Sequence, residues 1–218
     1  MELWIPSQTL DIHNIYISPF QSPPIKQQSI MSQKILIAPL KYIDNSVILN
    51  TVVILSPPLE VIHHDPHIGR LVLNVSNQHF FATKMQTLHS YLATSLCMNQ
   101  QTYFGFTNPI LTIDFFKKMI HPLIYNKRLT LFMGSSSRTV QVHKEDGTIE
   151  LGLQNGLQQG QFIRVAFQLQ GISILMNPSL TLLQTLTEIP TDISGIINIC
   201  KIRFQQAVRG IFIMKSDN

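Results

Sequence analysis

Within residues 61–69, "VIHHDPHIG", three imidazoles and a carboxylate, those of His63, His64, Asp65 and His67, are crowded into one short segment. Such groups ligate zinc, which takes three or four N, S or O ligands in a tetrahedron. Structural zinc sites usually complete that set from a second cluster, and here Cys97, His79, His89 and His143 stand at no ligand spacing. The Pro-containing segment therefore reads as a solvated loop between two strands, and no metal is expected. Catalytic signatures are missing as well: the chain has no G-x-S-x-G elbow, no phosphate loop ending in Gly-Lys-Ser/Thr and no H-E-x-x-H. Asp44, Asp65 and Asp146 sit in turn-like contexts, Asp114 is placed to cap a short helix, and "MGSSSR" at 133–138 reads as a hairpin loop. Neither an enzyme nor a cofactor is expected.

Binding chemistry has a better case. In "QFIRVAFQLQ", Ile163, Val165, Phe167 and Leu169 share one strand face, which should be core, while Phe162, Arg164, Gln168 and Gln170 share the other. "RTVQVHK" repeats the pattern, with Val140 and Val142 inward and Arg138 or Thr139, Gln141 and His143 outward, and Arg203 and Gln205 extend it. Lys117, Lys118, Lys127, Arg128, Arg138 and Lys144 enrich residues 117–144 in positive charge. A strand face of guanidinium, amide and ring suits single-stranded nucleic acid, because cations meet phosphates, rings stack on bases and amides bond to exposed base edges. The same residue types are also common on faces that only meet water.

Positioning these groups falls to strands. The 218 residues suit one domain, with 1–33 as a Pro-rich extended arm and 34–218 as the body. "QKILIAPLKYI" and "SVILNTVVIL" read as strands joined at Asp44 and Asn45, with Pro39 on an edge or at a bulge. "GRLVLNVS" is a third strand. In "HFFATKMQTLHSYLATSLCM", Phe81, Met85, Leu88, Leu92 and Leu96 recur at helical spacing. A shorter helix in "LTIDFFKKMIHPL" stops at Pro122. Beyond Arg128, "RLTLFMG", "RTVQVHK", "TIELGL", "QFIRVAFQLQ", "ISILMN" and "IINICKIRFQQ" are strand-like, so the fold class is a β-rich α+β protein.

Charged residues make up only 13% of the chain, about half the usual share, and the net charge of +4 permits a polyanionic partner without demanding one. Cys97 and Cys200, each in an apolar context, read as buried thiols, with a single disulfide the other possibility. The start "MELWIPSQTL" lacks the pattern of a signal peptide, and no apolar run is long enough to span a membrane. An intracellular protein is expected.

The order of segments, "ILIAPLKYIDNSVILNTVVILSPPLEV", a short loop, "GRLVLNVS", the helix "FFATKMQTLHSYL", a basic strand and "GQFIRVAFQLQGISIL", resembles single-stranded-DNA-binding proteins of large double-stranded DNA viruses and related virus-like elements. The resemblance covers residues 34–205. It implies an oligonucleotide/oligosaccharide-binding (OB) Greek-key barrel with a helix between its third and fourth strands. It also implies a protein that coats single strands during replication in the host-cell nucleus or cytoplasm. Such a protein binds with little sequence preference and by self-association along the DNA. Under the resemblance Tyr42, Tyr103, Phe104, Phe106 and Phe162 are the candidate stacking rings, each equally suited to the core, and "VIHHDPHIG" is a loop able to close over the strand. The C-terminal "RGIFIMKSDN" departs from the acidic, partner-recruiting tail of bacterial members of the wider class. The rival expectation is a structural virion or capsid protein of β-sandwich type, against which the long helix argues.

Overall fold

The computed structural model of the chain describes residues 3–20, 34–45, 47–104, 111–133, 140–153, 156–176 and 202–214. Arg138, Thr139, Phe106 and Cys200, all named above, lie outside the described residues, as do residues 196–201 of the last predicted strand.

The fold is mixed α+β and strand-rich. Its strands are β1 (Ile5–Pro6), β2 (Ile15–Ile17), β3 (Lys34–Asp44), β4 (Val47–Leu49), β5 (Val52–Leu55), β6 (Leu59–Asp65), β7 (Arg70–Asn74), β8 (Ile124–Tyr125), β9 (Arg128–Phe132), β10 (Gln141–His143), β11 (Ile149–Leu151), β12 (Phe162–Met176) and β13 (Ile202–Ile213). Its helices are α1 (His79–Met98), α2 (Gln100–Phe104) and α3 (Ile113–Met119). The two predicted strands "QFIRVAFQLQ" and "ISILMN" are one, β12, and it is the spine of the sheet. Along one edge it pairs antiparallel with β13; along the other it meets β6, then β5, then β3. The sheet runs on from β6 through β7 and β9 to β8, and from β13 through β10 to β11.

Two local features let one strand serve so many partners. The register of the β12–β13 ladder shifts between Leu169 and Gly171. At Gly171 a Cβ would stand 2.5 Å from the Ala38 carbonyl oxygen, so only glycine lets β3 approach this closely. Pro39, which has no N–H to give, lies opposite Gly171 at this irregularity. The stretch "SVILNTVVIL", expected as one strand, breaks at Asn50 and Thr51 into β4, which pairs with β3, and β5, which pairs with β12 and β1. Asn45 takes the left-handed conformation (φ 51°) that the β3–β4 turn requires.

The predicted helical stripe is buried in α1: Phe81, Met85, Leu88, Leu92 and Leu96 all face the core. They belong to one hydrophobic core with Leu59, Val61, Leu71, Leu73, Leu129 and Leu131 of β6, β7 and β9. α3 is capped by Thr112, whose Oγ1 accepts from the Phe115 N–H at 3.3 Å, and not by Asp114, which lies in its first turn. The helix ends ahead of Pro122. The Cys97 thiol is free and donates to the Leu111 carbonyl at 3.4 Å. In the N-terminal segment, β1 runs parallel to β5, β2 runs antiparallel to β3, and Ile5, Leu10, Ile12 and Ile15 are buried.

The sheet curls around this core without closing. β9 approaches β13, but among the described residues no ladder joins them. No helix among the described residues is long and apolar enough to cross a membrane.

Candidate nucleic-acid interface

Because side chains alternate along each strand, the face turned away from α1 is set once the core residues are known. A bulge at Ile62 complicates this in β6, shifting the β6–β7 register between Val61 and His63. Val61 and His64 then point inward with Leu73 and Leu71, while His63 and Asp65 point outward with Val72 and Arg70. Outside, the ladders line up three rows. The first holds Asp65, Arg70 and Phe132; the second His63, Val72 and Thr130; the third Glu60, Asn74, Arg128 and Tyr125, which Phe162 of β12 extends.

This part of the outer face is open. Tyr125, Phe132 and Phe162 are 65%, 50% and 53% exposed, and Arg70, Arg128 and His63 are exposed beside them. Asn126 (φ 48°) and Lys127 (φ 58°) both take left-handed conformations, making the two-residue turn that joins β8 to β9 and setting the Lys127 side chain at the rim. From Phe162 to Tyr125 the third row crosses four strand spacings, roughly 19 Å at about 4.8 Å each, which leaves room for a few unstacked bases.

The other part of the outer face, on β12, β13 and β10, is closed over. Here Arg164, Phe212, His143 and Ile149 form one row, and Ala166, Gly210, Gln141 and Leu151 the next. The Trp4 ring lies on Gly210, where a Cβ would come within 2.5 Å of it. Trp4 meets His143 and Phe212 edge-on at 5.8 and 5.5 Å, and those two rings stack at 4.1 Å. Trp4 Nε1 and His143 Nε2 are buried there without a hydrogen-bond partner. The guanidinium of Arg164 is half-buried, and its Nε donates to the Ser56 carbonyl at 3.0 Å. Gln168 is only 3% exposed, and its Oε1 accepts from Arg209 Nε at 2.6 Å.

The residues singled out from sequence thus divide. Phe162, Lys127 and Arg128 belong to the open part. Gln141, Gln170 and Arg203 are exposed on the strands of the closed part, whereas Arg164 and His143 are half-buried within it. Gln168 was expected outside and is buried, because the β12–β13 register shift after Ala166 brings Arg209 over it while Val53 flanks it on β5. Tyr42 is a second correction: it is 6% exposed, in the core row between Ile15 and Leu49, and its ring belongs to the core and not to the outer face. Tyr103 is half-buried, with its hydroxyl donating to the Ile17 carbonyl at 3.0 Å, and burial raises its pKa. Arg70, Phe132 and Tyr125 were missed. For Arg70 and Phe132 the signal is in the alternation of "GRLVLN" and "KRLTLF", in which the polar or aromatic members fall opposite the leucines; Tyr125 lies outside both stretches.

The histidine cluster is strand end and turn. His63, His64 and Asp65 finish β6, and residues 66–69 turn into β7. Asp65 Oδ1 accepts from the backbone N–H of His67 and of Ile68, at 2.9 and 3.3 Å. The Ile68 N–H above all holds this carboxyl below its ordinary pKa. His64 Nδ1 accepts from the Leu157 N–H at 3.1 Å, which places the proton of the neutral ring on Nε2. Burial pushes the His64 pKa down and the His63 charge adds to this, while the Asp65 carboxylate opposes it. The ring therefore clips the loop before β12 to the β6–β7 hairpin. Among the described residues, no three His, Cys, Asp or Glu side chains converge on a point where a metal would sit. No protein-family model, curated protein or solved structure matches this chain.

Proposed function

We propose that this protein is a non-enzymatic single-stranded-DNA-binding protein that coats strands exposed during replication, and that the strand crosses the open part of the outer face. One observation carries the reading: three exposed rings, Tyr125, Phe132 and Phe162, share a sheet face with the exposed guanidinium groups of Arg70 and Arg128. Rings accept stacked bases of any identity, and the arginines meet the phosphates between them. Duplex DNA, whose bases are already stacked, gains nothing from the rings. Kinship with an OB-type barrel is part of this proposal: the helices α1 to α3 stand between β7 and β8, as a helix stands between strands of such barrels, although here seven strands precede α1 and the sheet stays open. A viral replication setting in the host cell is part of this proposal and rests on the resemblance in segment order alone.

A second reading, a structural virion or capsid protein, is favoured by a different observation. β11 ends the sheet among the described residues and exposes Ile149 and Leu151, at 60% and 69%, an edge suited to adding a neighbouring chain. The same edge serves self-association along DNA under the first reading.

Fluorescence anisotropy of a labelled oligonucleotide, single-stranded and duplex, across a salt series separates the two. Single-strand binding that exceeds duplex binding, weakens with salt and is lost in the Tyr125→Ala, Phe132→Ala double variant is the expected result. Absence of binding at low salt, with large assemblies in sedimentation, would instead establish the assembly role.

A further inference from the structure

The third row of the open face holds a residue out of keeping with its neighbours. Glu60 lies directly opposite Phe162 in one ladder and opposite Asn74 in the next, and Asn74 is in turn opposite Arg128. Asn74 is fixed at both ends: its Oδ1 accepts from the Ser76 N–H at 3.0 Å, and its Nδ2 donates to Glu60 Oε2 at 3.0 Å. That bond orients the Glu60 carboxylate. Among the described residues no lysine, arginine or histidine forms an ion pair with it. A carboxylate oxygen offers two lone-pair sites, so most of the acceptor capacity of Glu60 is left unused beside an exposed ring.

A carboxylate there repels phosphate, which steers the nucleic-acid backbone toward Arg128, Lys127 and Arg70. What Glu60 can receive is a base edge carrying N–H donors. A base stacked on Phe162 turns its Watson–Crick edge along the row, and in a single strand that edge is unpaired. Guanine presents two adjacent donors, N1–H and the 2-amino group, matching the two oxygens of a carboxylate. Adenine and cytosine offer one amino group each. Thymine flanks its single N3–H with two carbonyl oxygens, which the carboxylate repels.

Resting on the single-strand reading above, we propose that Glu60, held by Asn74, makes the subsite at Phe162 select guanine over thymine. Binding is then base-graded at one position and indifferent elsewhere.

The test uses the full chain and three short oligonucleotides: oligo-dT, the same strand with one central deoxyguanosine, and the same strand with deoxyinosine, which lacks the 2-amino group, at that position. The guanosine strand should bind about tenfold tighter than oligo-dT, within the range for a bidentate base contact, and the inosine strand should fall between them. In Glu60→Gln the guanosine preference should collapse while affinity for oligo-dT holds or rises, because the repulsive charge is gone. Equal affinities in the wild type, or a preference that survives Glu60→Gln, would overturn the guanine proposal and leave single-strand binding standing. If none of the three strands binds, the single-strand reading falls and the proposal with it.

Discussion

The two parts of the outer face use the same residue types to opposite ends. On β12, β13 and β10, rings and guanidinium groups turn on each other: Trp4 covers Gly210, His143 stacks on Phe212, and Arg164 and Arg209 donate to Ser56 and Gln168. On β7, β9 and β8, with Phe162 at the margin, Arg70, Arg128, Tyr125 and Phe132 stand in solvent. Residue type does not separate these regions. The difference lies in what lies over the strands: β1 leads Trp4 across the first, while β6 to β8 carry nothing comparable among the described residues. The closed part contributes to stability, and the open part is available for a ligand.

That contrast can be attacked most strongly at Gly210. Gly210→Ala forces the Trp4 ring off its seat and should cost about 2 kcal/mol in urea unfolding. The emission of Trp4, the only tryptophan of the chain, should shift to the red as it meets water. Phe132→Ala in the open part should stay within about 0.5 kcal/mol of the wild type. A comparable loss from both would erase the distinction.

Affinity should show the reverse ranking. Phe132→Ala and Arg128→Ala are each expected to weaken oligo-dT binding about tenfold, and Arg128→Ala to lower the salt slope by about 0.7. Arg164→Ala should leave affinity unchanged and cost about 1 kcal/mol of stability through the lost bond to Ser56. Anisotropy titrations that find Arg164→Ala as damaging as Arg128→Ala would move the interface to the closed part.

The smallest effect concerns the boundary between the parts, where His64 clips the loop ahead of Phe162. Its folded pKa lies below the ordinary 6.5, so the unfolded chain takes up a proton first as pH falls. The contribution of His64 is complete above about 6.5 and declines as pH drops through that value toward the lower folded pKa. Urea midpoints at neutral and mildly acid pH should diverge in the wild type and converge in His64→Asn, whose side-chain oxygen accepts from Leu157 without titrating. Identical pH profiles for the two proteins would show that the clip contributes nothing.

Much of the architecture was legible because apolar periodicity reports burial directly. The α1 stripe from Phe81 to Leu96, the inward leucines of β7 and β9, and the core face of β12 all follow from spacing alone. What was hidden depends on partners distant in sequence. Nothing around Gln168 announces that Arg209 will be brought over it, and nothing around Tyr42 shows that Ile15 and Leu49 will enclose its ring. The bulge at Ile62 is equally silent, yet it sends His63 out and His64 in. Of the candidate site, Phe162, Lys127 and Arg128 were legible from sequence; Arg70 and Phe132 lie in the alternation of β7 and β9, whereas Tyr125 sits on the two-residue strand β8, too short to show any alternation.

β12 has a consequence for how the chain comes to be folded at all. β3, β5 and β6 all pair with this one strand, which begins only at residue 162. On the ribosome those earlier strands emerge first, apolar and with an edge unmatched, and wait for more than a hundred residues of further synthesis in the case of β3 and β5. Their pairings are long-range and therefore slow to form. The nascent protein should thus depend on holding chaperones until β12 arrives, and any truncation that ends before it leaves three strands seeking partners in other molecules.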